Sequence, residues 1–418
     1  MNLFEKCVRF TRAREAQAAG YYPFFLPIEA SNGTEVIING MPKLMMGSNN
    51  YLGLTHHPKV LAAGEAALKR YGSGCTGSRF LNGTLDLHEQ LEERLASFLG
   101  KEAALVFSTG YQTNLGILAT LLGRDDYLFL DKLGHASAVD GARLAYGTVA
   151  RYPHGDLRTL EQQLARAPRA AGKLIVTDGV FSMEGDIADL PGITALARSY
   201  GAEIIVDDAH AFGVLGERGG GTAQHFHLEA EVALIMTSFS KSLAAIGGAV
   251  AGPEPVIHYL KHHARSLIFS ASMPPASVAT TLAALEVIEE EPERREALWR
   301  NTDRMQQGLK HIGYDIGKSE TPIIPVLVGD LEEMLVLWRA LFDAGVCTNP
   351  VMPPAVPDRS CRVRLSMMAT HTDAQIDVAL EAFAQVKTQR RSRRDGVRPE
   401  AKRTTAFVEP VDQHPDLY

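Results

Sequence analysis

From residue 103 to residue 251, short apolar runs alternate with amphipathic stretches. Runs at 104–108, 127–131, 173–177, 203–207, 233–237 and 248–251 read as strands, and the stretches between them as helices. No other feature constrains the fold as tightly. Strands that succeed one another through helices lie parallel, are covered on both faces, and open into loops on one common side of the sheet. The expectation is an α/β fold with a mostly parallel sheet and a functional site beyond the carboxyl ends of its strands.

The loops after those runs carry the residues that chemistry uses. The first run leads into Ser108-Thr109-Gly110-Tyr111-Gln112-Thr113-Asn114, a glycine turn opening a helix whose first N–H groups can bind phosphate. The second leads into Asp131-Lys132-Leu133-Gly134-His135, and the third into Asp178-Gly179-Val180-Phe181-Ser182-Met183-Glu184-Gly185-Asp186. The fourth leads into Asp207-Asp208-Ala209-His210, and the fifth into Ser238-Phe239-Ser240-Lys241-Ser242. Taken singly, each has an ordinary reading: a hydrogen-bonded structural histidine, an ion pair at a strand end, a lysine in a serine-rich surface turn. An Asp-x-x-His pair also fits a metal, but no third ligand stands at a suitable spacing.

Convergence at five successive strand ends fits one task better. A lysine amine can hold an aldehyde as a Schiff base while hydroxyls and backbone N–H groups anchor a phosphate. A carboxylate such as Asp207 keeps a pyridinium nitrogen protonated. Ser182 and His210 can donate to a phenolic oxygen, and His135 offers a flat face to a ring. These are the requirements of pyridoxal 5'-phosphate, with Lys241 as the covalent anchor.

Composition sets the frame. A chain of 418 residues exceeds one average domain, and 45% hydrophobic with 22% charged residues is ordinary for a soluble enzyme. A net charge of −7 argues against a dedicated nucleic-acid binder. Four scattered cysteines without a C-x-x-C pair indicate a reducing compartment, and neither a signal-peptide core nor a membrane-length apolar run is present, so the expected location is cytoplasmic. The expected organisation is an N-terminal arm over 1–55, a large domain over 56–290, a small α/β domain over 291–388 and a basic, disordered tail over 389–418. In the tail, Arg390, Arg391, Arg393, Arg394, Arg398, Lys402 and Arg403 could attract an anionic membrane or the phosphates of a nucleotide carrier. Within the small domain, Arg362 and Arg364 share one face of a strand, where arginine can grip a carboxylate. In the arm, Asn49-Asn50 reads as a turn whose amide could also orient a carboxylate.

The ordered set of motifs resembles the α-oxoamine synthases, a fold-type-I family of pyridoxal phosphate enzymes. The likeness runs from about residue 45 to 388. It rests on Asn50-Tyr51-Leu52-Gly53, Gly83-Thr84 with His88 and Glu92, Phe107-Ser108-Thr109-Gly110-Tyr111-Gln112, His135-Ala136-Ser137, Phe181-Ser182-Met183-Glu184-Gly185-Asp186, Asp207-Asp208-Ala209-His210, Ser240-Lys241, Ser270-Ala271-Ser272-Met273-Pro274-Pro275 and Ala369-Thr370-His371-Thr372. Ser238 departs from the threonine often found three residues before the lysine, with the hydroxyl kept.

The resemblance implies a large domain built on a mostly parallel seven-stranded sheet, a smaller C-terminal α/β domain, and a homodimer with sites shared between chains. It implies that Lys241 carries the cofactor and removes the α-proton, and that His135 stacks on the ring. Asp207 then pairs with the ring nitrogen, and Ser182 and His210 contact the phenolic oxygen. Gly110, Tyr111, Ser238 and Ser240 bind phosphate, with Ser270 coming from the partner chain. Asn50 and Arg364 bind the substrate carboxylate. The stretches 74–84, 349–357 and 366–371 are most similar to the serine palmitoyltransferase branch. That implies condensation of L-serine with a long-chain acyl-CoA to 3-oxosphinganine, CoA and CO2. The alternatives within the family join alanine to a pimeloyl thioester or glycine to acetyl-CoA. A plain aminotransferase or a non-catalytic partner subunit are weaker rivals, since the first leaves the C-terminal likeness unexplained and the second is expected to lack the lysine.

Overall fold

Seven strands form one sheet in the computed structural model, which describes residues 2–395. They are β1 (Ala103–Phe107), β2 (Tyr127–Asp131), β3 (Thr148–Tyr152), β4 (Lys173–Asp178), β5 (Glu203–Asp207), β6 (Leu234–Ser238) and β7 (Gly248–Gly252), in the spatial order β1-β7-β6-β5-β4-β2-β3. Pairings among β2 to β6 are parallel, whereas β7 runs antiparallel to both β6 and β1. β3 escapes the apolar-run criterion: Thr-Val-Ala-Arg-Tyr is the edge strand, with two exposed and two half-buried residues before Tyr152. The interior strands are apolar throughout because helices cover both faces. Leu105, Leu130, Val176, Ile205, Met236 and Val250 belong to one buried cluster together with Ile117, Leu118, Ala138, Ala142, Ile257 and Leu260 from helices. Each of the larger side chains contributes about 1.5–3 kcal/mol by leaving water, the two alanines less.

Four helices of this unit frame the strand ends and the connector beside them. They are α1 (Pro58–Tyr71), α2 (Asp86–Leu99), α3 (Gly110–Leu121) and α4 (Ala136–Leu144). α3 starts where Thr109 accepts a hydrogen bond from the Gln112 N–H at 3.1 Å, and α4 starts where the His135 ring accepts from the Ser137 N–H at 3.2 Å. The connector between α1 and α2 is pinned. Ser272 donates its N–H to the Gly77 carbonyl at 2.9 Å, and His88 holds the Met273 carbonyl at 3.2 Å.

The sheet belongs to one of two compact units, residues 49–299 with 368–370. The other comprises the described residues up to 48 together with 300–367 and 371–395. The boundaries thus fall at 48/49 and 299/300, away from the expected 55 and 290. The N-terminal segment is no separate arm, because Met41–Met45 pairs with Val346–Cys347 in a four-stranded sheet. Glu35–Ile38 and Met41–Met45 form a hairpin, turned by Asn39 and Gly40, both at positive φ. A second sheet of this unit sets Cys361–Ser366 between Ile323–Gly329 and Asn349–Val351. The last helix runs over Asp373–Asp395, past the expected start of the tail at 389. The rest of the expected tail, beyond 395, lies outside the described residues. No helix among the described residues is long and apolar enough to cross a membrane.

Candidate active site

The parallel strands end together at charged or hydroxyl residues: Asp131, Asp178, Asp207 and Ser238 close β2, β4, β5 and β6. Beyond them lies a cleft of about 310 Å³. Its walls bring together Gly110, Tyr111, His135, Asp207, His210, Ser238, Ser240 and Lys241, eight residues singled out from the sequence. Residues from five strand ends meet because the parallel register sets the ends side by side, Asp178 opposite Asp207 and Asp207 opposite Met236.

At one end of the cleft, Gly110 opens α3 against Ser238. A methyl group on Gly110 would stand 2.8 Å from the Ser238 Cβ, so only glycine fits. The Ser238 and Ser240 hydroxyls are 2.8 Å apart, beside the first turn of α3. Hydroxyls, a bare backbone and a helix start make a cradle for an anion. At the other end, the Asp207 carboxylate accepts from the Ala209 N–H at 3.0 Å and from Asn114 Nδ2 at 2.7 Å. His210 Nδ1 lies 2.7 Å from the Tyr51 hydroxyl. His135 Nδ1 faces both the Ser137 N–H and, at 2.7 Å, the Ser137 hydroxyl.

Burial sets the charges. The His135 pKa is lowered by burial, with the Lys241 ammonium adding to the effect and Asp207 opposing it. Asp178, fully enclosed, is raised well above the usual carboxylate range by burial and then by the neighbouring Asp207. Asp208 points away from the cleft, takes the Thr222 N–H and hydroxyl at 2.9 and 2.6 Å, and is raised by burial to about 7.

Four expected site residues do not line this cleft. Ser182 sits on a tight turn closed by the Phe181 and Gly185 N–H groups, next to the cleft-lining Val180. Ser270 accepts from Gln112 Nε2 at 3.0 Å. Asn50 holds the turn after it, its oxygen accepting from the Leu54 N–H at 3.0 Å and its amide donating to Thr55 at 2.8 Å. Arg364 belongs to the other unit, buried on its central strand with Nη1 2.8 Å from the Ser366 hydroxyl.

Sequence reasoning gives no role to Tyr51, Asn114, Ser137 or Asp178. For Asn114 a signal exists, since it stands four positions after Gly110 on the same helix face. Also without a role from sequence is His154, clamped between Asp131 and Asp186.

Comparison with known proteins agrees with this geometry. A family model described as aminotransferase class I and II matches residues 42–383. A protein of Sphingobacterium spiritivorum named serine palmitoyltransferase is 51% identical over 387 residues, covering 93% of this chain and 97% of that one. A protein of Geobacter sulfurreducens named 8-amino-7-oxononanoate synthase is 43% identical over 375 residues, covering 89% and 96%. Among solved structures, a lysine-to-alanine variant of serine palmitoyltransferase from S. paucimobilis with a bound PLP–myriocin aldimine superposes with a TM-score of 0.90 at 36% identity, over 93% of this chain and 99% of that one.

Proposed function

Because the chain belongs to the aminotransferase class I and II family, we propose that it is a pyridoxal phosphate-dependent acyltransferase. In this reading it joins L-serine to a long-chain acyl-CoA, yielding 3-oxosphinganine, CoA and CO2. What carries the substrate choice is the 51% identity to a serine palmitoyltransferase across nine-tenths of the chain.

The cleft's donor set fits the cofactor. The Gly110 cradle with Ser238 and Ser240 suits a phosphate, and the hydrogen-bonded Asp207 suits a ring nitrogen. When bound, the group withdraws electrons from the substrate Cα. Lys241 holds it through Nζ and moves the proton at Cα. Tyr111 assists at the phosphate end, His135 faces the ring, and His210 and Ser182 serve its phenolic oxygen. Asn50 and Arg364 are proposed for the substrate carboxylate on the resemblance alone.

A homodimer belongs to the same proposal. Ser270 does not line its own chain's cleft, and the adjacent Phe269 is 72% exposed, as is Leu81 at 77%. A second copy would cover these apolar side chains and receive Ser270. The proposed location is the cytoplasm.

The test is an absorbance titration of the purified, cofactor-loaded protein with L-serine, L-alanine and glycine. Palmitoyl-CoA is then added with thiol release followed. Spectral change with serine alone, then CoA release, is the expected result. Saturation by alanine with turnover of a pimeloyl thioester favours the second reading, which the 43% identity to an oxononanoate synthase supports. Persistence of the covalent cofactor spectrum in Lys241→Ala overturns the site assignment.

A further inference from the structure

Asn114 links two residues that line the cleft, Asp207 and Ser137. Its side chain is buried at 2% exposure, and Nδ2 makes two contacts, 2.7 Å to Asp207 Oδ2 and 2.9 Å to Ser137 Oγ. The amide orientation follows from chemistry: the opposite one would set the amide oxygen against a carboxylate oxygen, with no hydrogen between them. Both amide hydrogens are therefore spent, one on each partner. Ser137, 1% exposed, thus accepts from Asn114, and its hydroxyl hydrogen points at His135 Nδ1, 2.7 Å away. The Ser137 backbone N–H, which can only donate, meets the same nitrogen at 3.2 Å. His135 Nδ1 is thereby an acceptor, and the neutral ring carries its hydrogen on Nε2.

From this geometry we infer that Asn114 is a positioning residue. It orients the Asp207 carboxylate and, through the Ser137 hydroxyl, sets the direction of a hydrogen-bond chain that ends, together with the Ser137 N–H, on His135 Nδ1 and leaves Nε2–H as the ring donor. The chain runs one way only: imidazole Nδ1 accepts from hydroxyl, hydroxyl accepts from amide, and amide donates to carboxylate. A donor at the centre is what permits this. An acceptor there would draw the Ser137 hydroxyl hydrogen toward itself and turn its oxygen toward His135.

The inference rests on the proposed cofactor reading only in its second readout. Asn114→Asp, nearly equal in size, replaces the central donor by an acceptor and faces Asp207 with a like charge. Asn114→Ala removes the link and guards against an effect of charge or misfolding peculiar to the first variant. The first readout is the ring-nitrogen spectrum of histidine-labelled protein without cofactor, with the His135 signal identified by its loss in His135→Asn. The second is the pyridoxal phosphate dissociation constant, taken from fluorescence.

The wild-type chain is expected to show a single Nε2–H form of His135. In both variants the Ser137 N–H still donates to Nδ1, so the ring is expected to keep Nε2–H while its Nδ1 signal moves, because the Ser137 hydroxyl hydrogen is drawn off in Asn114→Asp and left free to turn in Asn114→Ala. Cofactor affinity is expected to fall about tenfold or more in both, the worth of one hydrogen bond to a charged group. A His135 spectrum unchanged in both variants, or a wild-type ring already protonated at Nδ1, overturns the inference even if both variants are less stable. A shifted spectrum in a chain that binds no pyridoxal phosphate in any form upholds the hydrogen-bond chain and overturns the cofactor reading instead.

Discussion

The Tyr51 hydroxyl and His210 Nδ1 are 2.7 Å apart, although 159 positions separate them in the chain, and both side chains are buried. Their rings meet edge to face at a centroid distance of 6.0 Å. A loop ahead of α1 thereby fixes the ring of a histidine that lines the cleft from the end of β5. Tyr51→Phe keeps the packing and removes the hydroxyl. The expected cost to folding is about 1 kcal/mol, the net worth of one hydrogen bond. Turnover is expected to fall severalfold while the thermal midpoint moves little. Steady-state kinetics beside a melting curve checks this; unchanged turnover would mean that His210 needs no such support.

Gly110 meets Ser238 too closely for any side chain. In Gly110→Ala the new methyl stands 2.8 Å from the Ser238 Cβ and 2.9 Å from its Oγ, so α3 and β6 must separate. Overpacking of this kind costs about 1–3 kcal/mol. Pyridoxal phosphate affinity is expected to weaken by at least about tenfold, since the hydroxyls and the helix start no longer converge. Equilibrium dialysis against free cofactor measures it, and an unaltered dissociation constant would remove the phosphate cradle from this end of the cleft.

His154 offers a prediction in pH. Nε2 lies 2.8 Å from Asp186 and Nδ1 3.2 Å from both Asp131 oxygens. Burial alone lowers its pKa, but the two carboxylates outweigh burial and raise it to about 10. A folded pKa above the unfolded value of about 6.5 means stabilisation that is complete below pH 6.5 and disappears as pH rises toward 10. Wild-type protein is therefore expected to exceed His154→Gln in stability at pH 6, with the gap narrowing through pH 8 and nearly closing at pH 10. Urea midpoints at the three pH values test it; a constant gap would show that the ring acts through packing alone.

Arg79 and Glu92 guard a sheet edge. β1 pairs on one side only, with β7. The Val106 N–H donates to Glu92 at 2.9 Å and its carbonyl accepts from Arg79 Nη1 at 3.3 Å, while the two side chains pair at 2.7 and 3.1 Å. Both are nearly buried, so Arg79→Met leaves a carboxylate without its partner, a loss of about 3–5 kcal/mol. Glu92→Gln keeps an acceptor for Val106 but leaves the buried Arg79 guanidinium without its counter-charge, so a loss of similar size is expected. Denaturant unfolding of the two variants compares them, and a much smaller loss in Glu92→Gln would assign the stabilisation to the capped edge rather than to the charge pair.

Much of the unit that holds the cleft was legible in the chain. Interior strands must be apolar on both faces, so β1, β2, β4, β5, β6 and β7 stood out as runs. Parallel strands place their ends on one side, so the residues just past those runs were bound to meet. That logic found eight cleft residues and missed β3, because an edge strand half in water needs no apolar run.

What the chain could not disclose lies in pairings across long separations. The turn at Asn50 is legible in one dimension, but not its partners: its oxygen accepts from the Leu54 N–H and its amide donates to Thr55. The segment before residue 48 looked like a separate arm, yet its strand Met41–Met45 finds a parallel partner in Val346–Cys347. The links from Asn114 to Asp207, from Tyr51 to His210 and from His154 to Asp186 join residues 93, 159 and 32 positions apart. Periodicity and motif report only on near neighbours and on burial. Which polar groups satisfy one another inside is decided by the packing of whole elements, because a buried donor takes whatever acceptor the fold sets within about 3 Å of it.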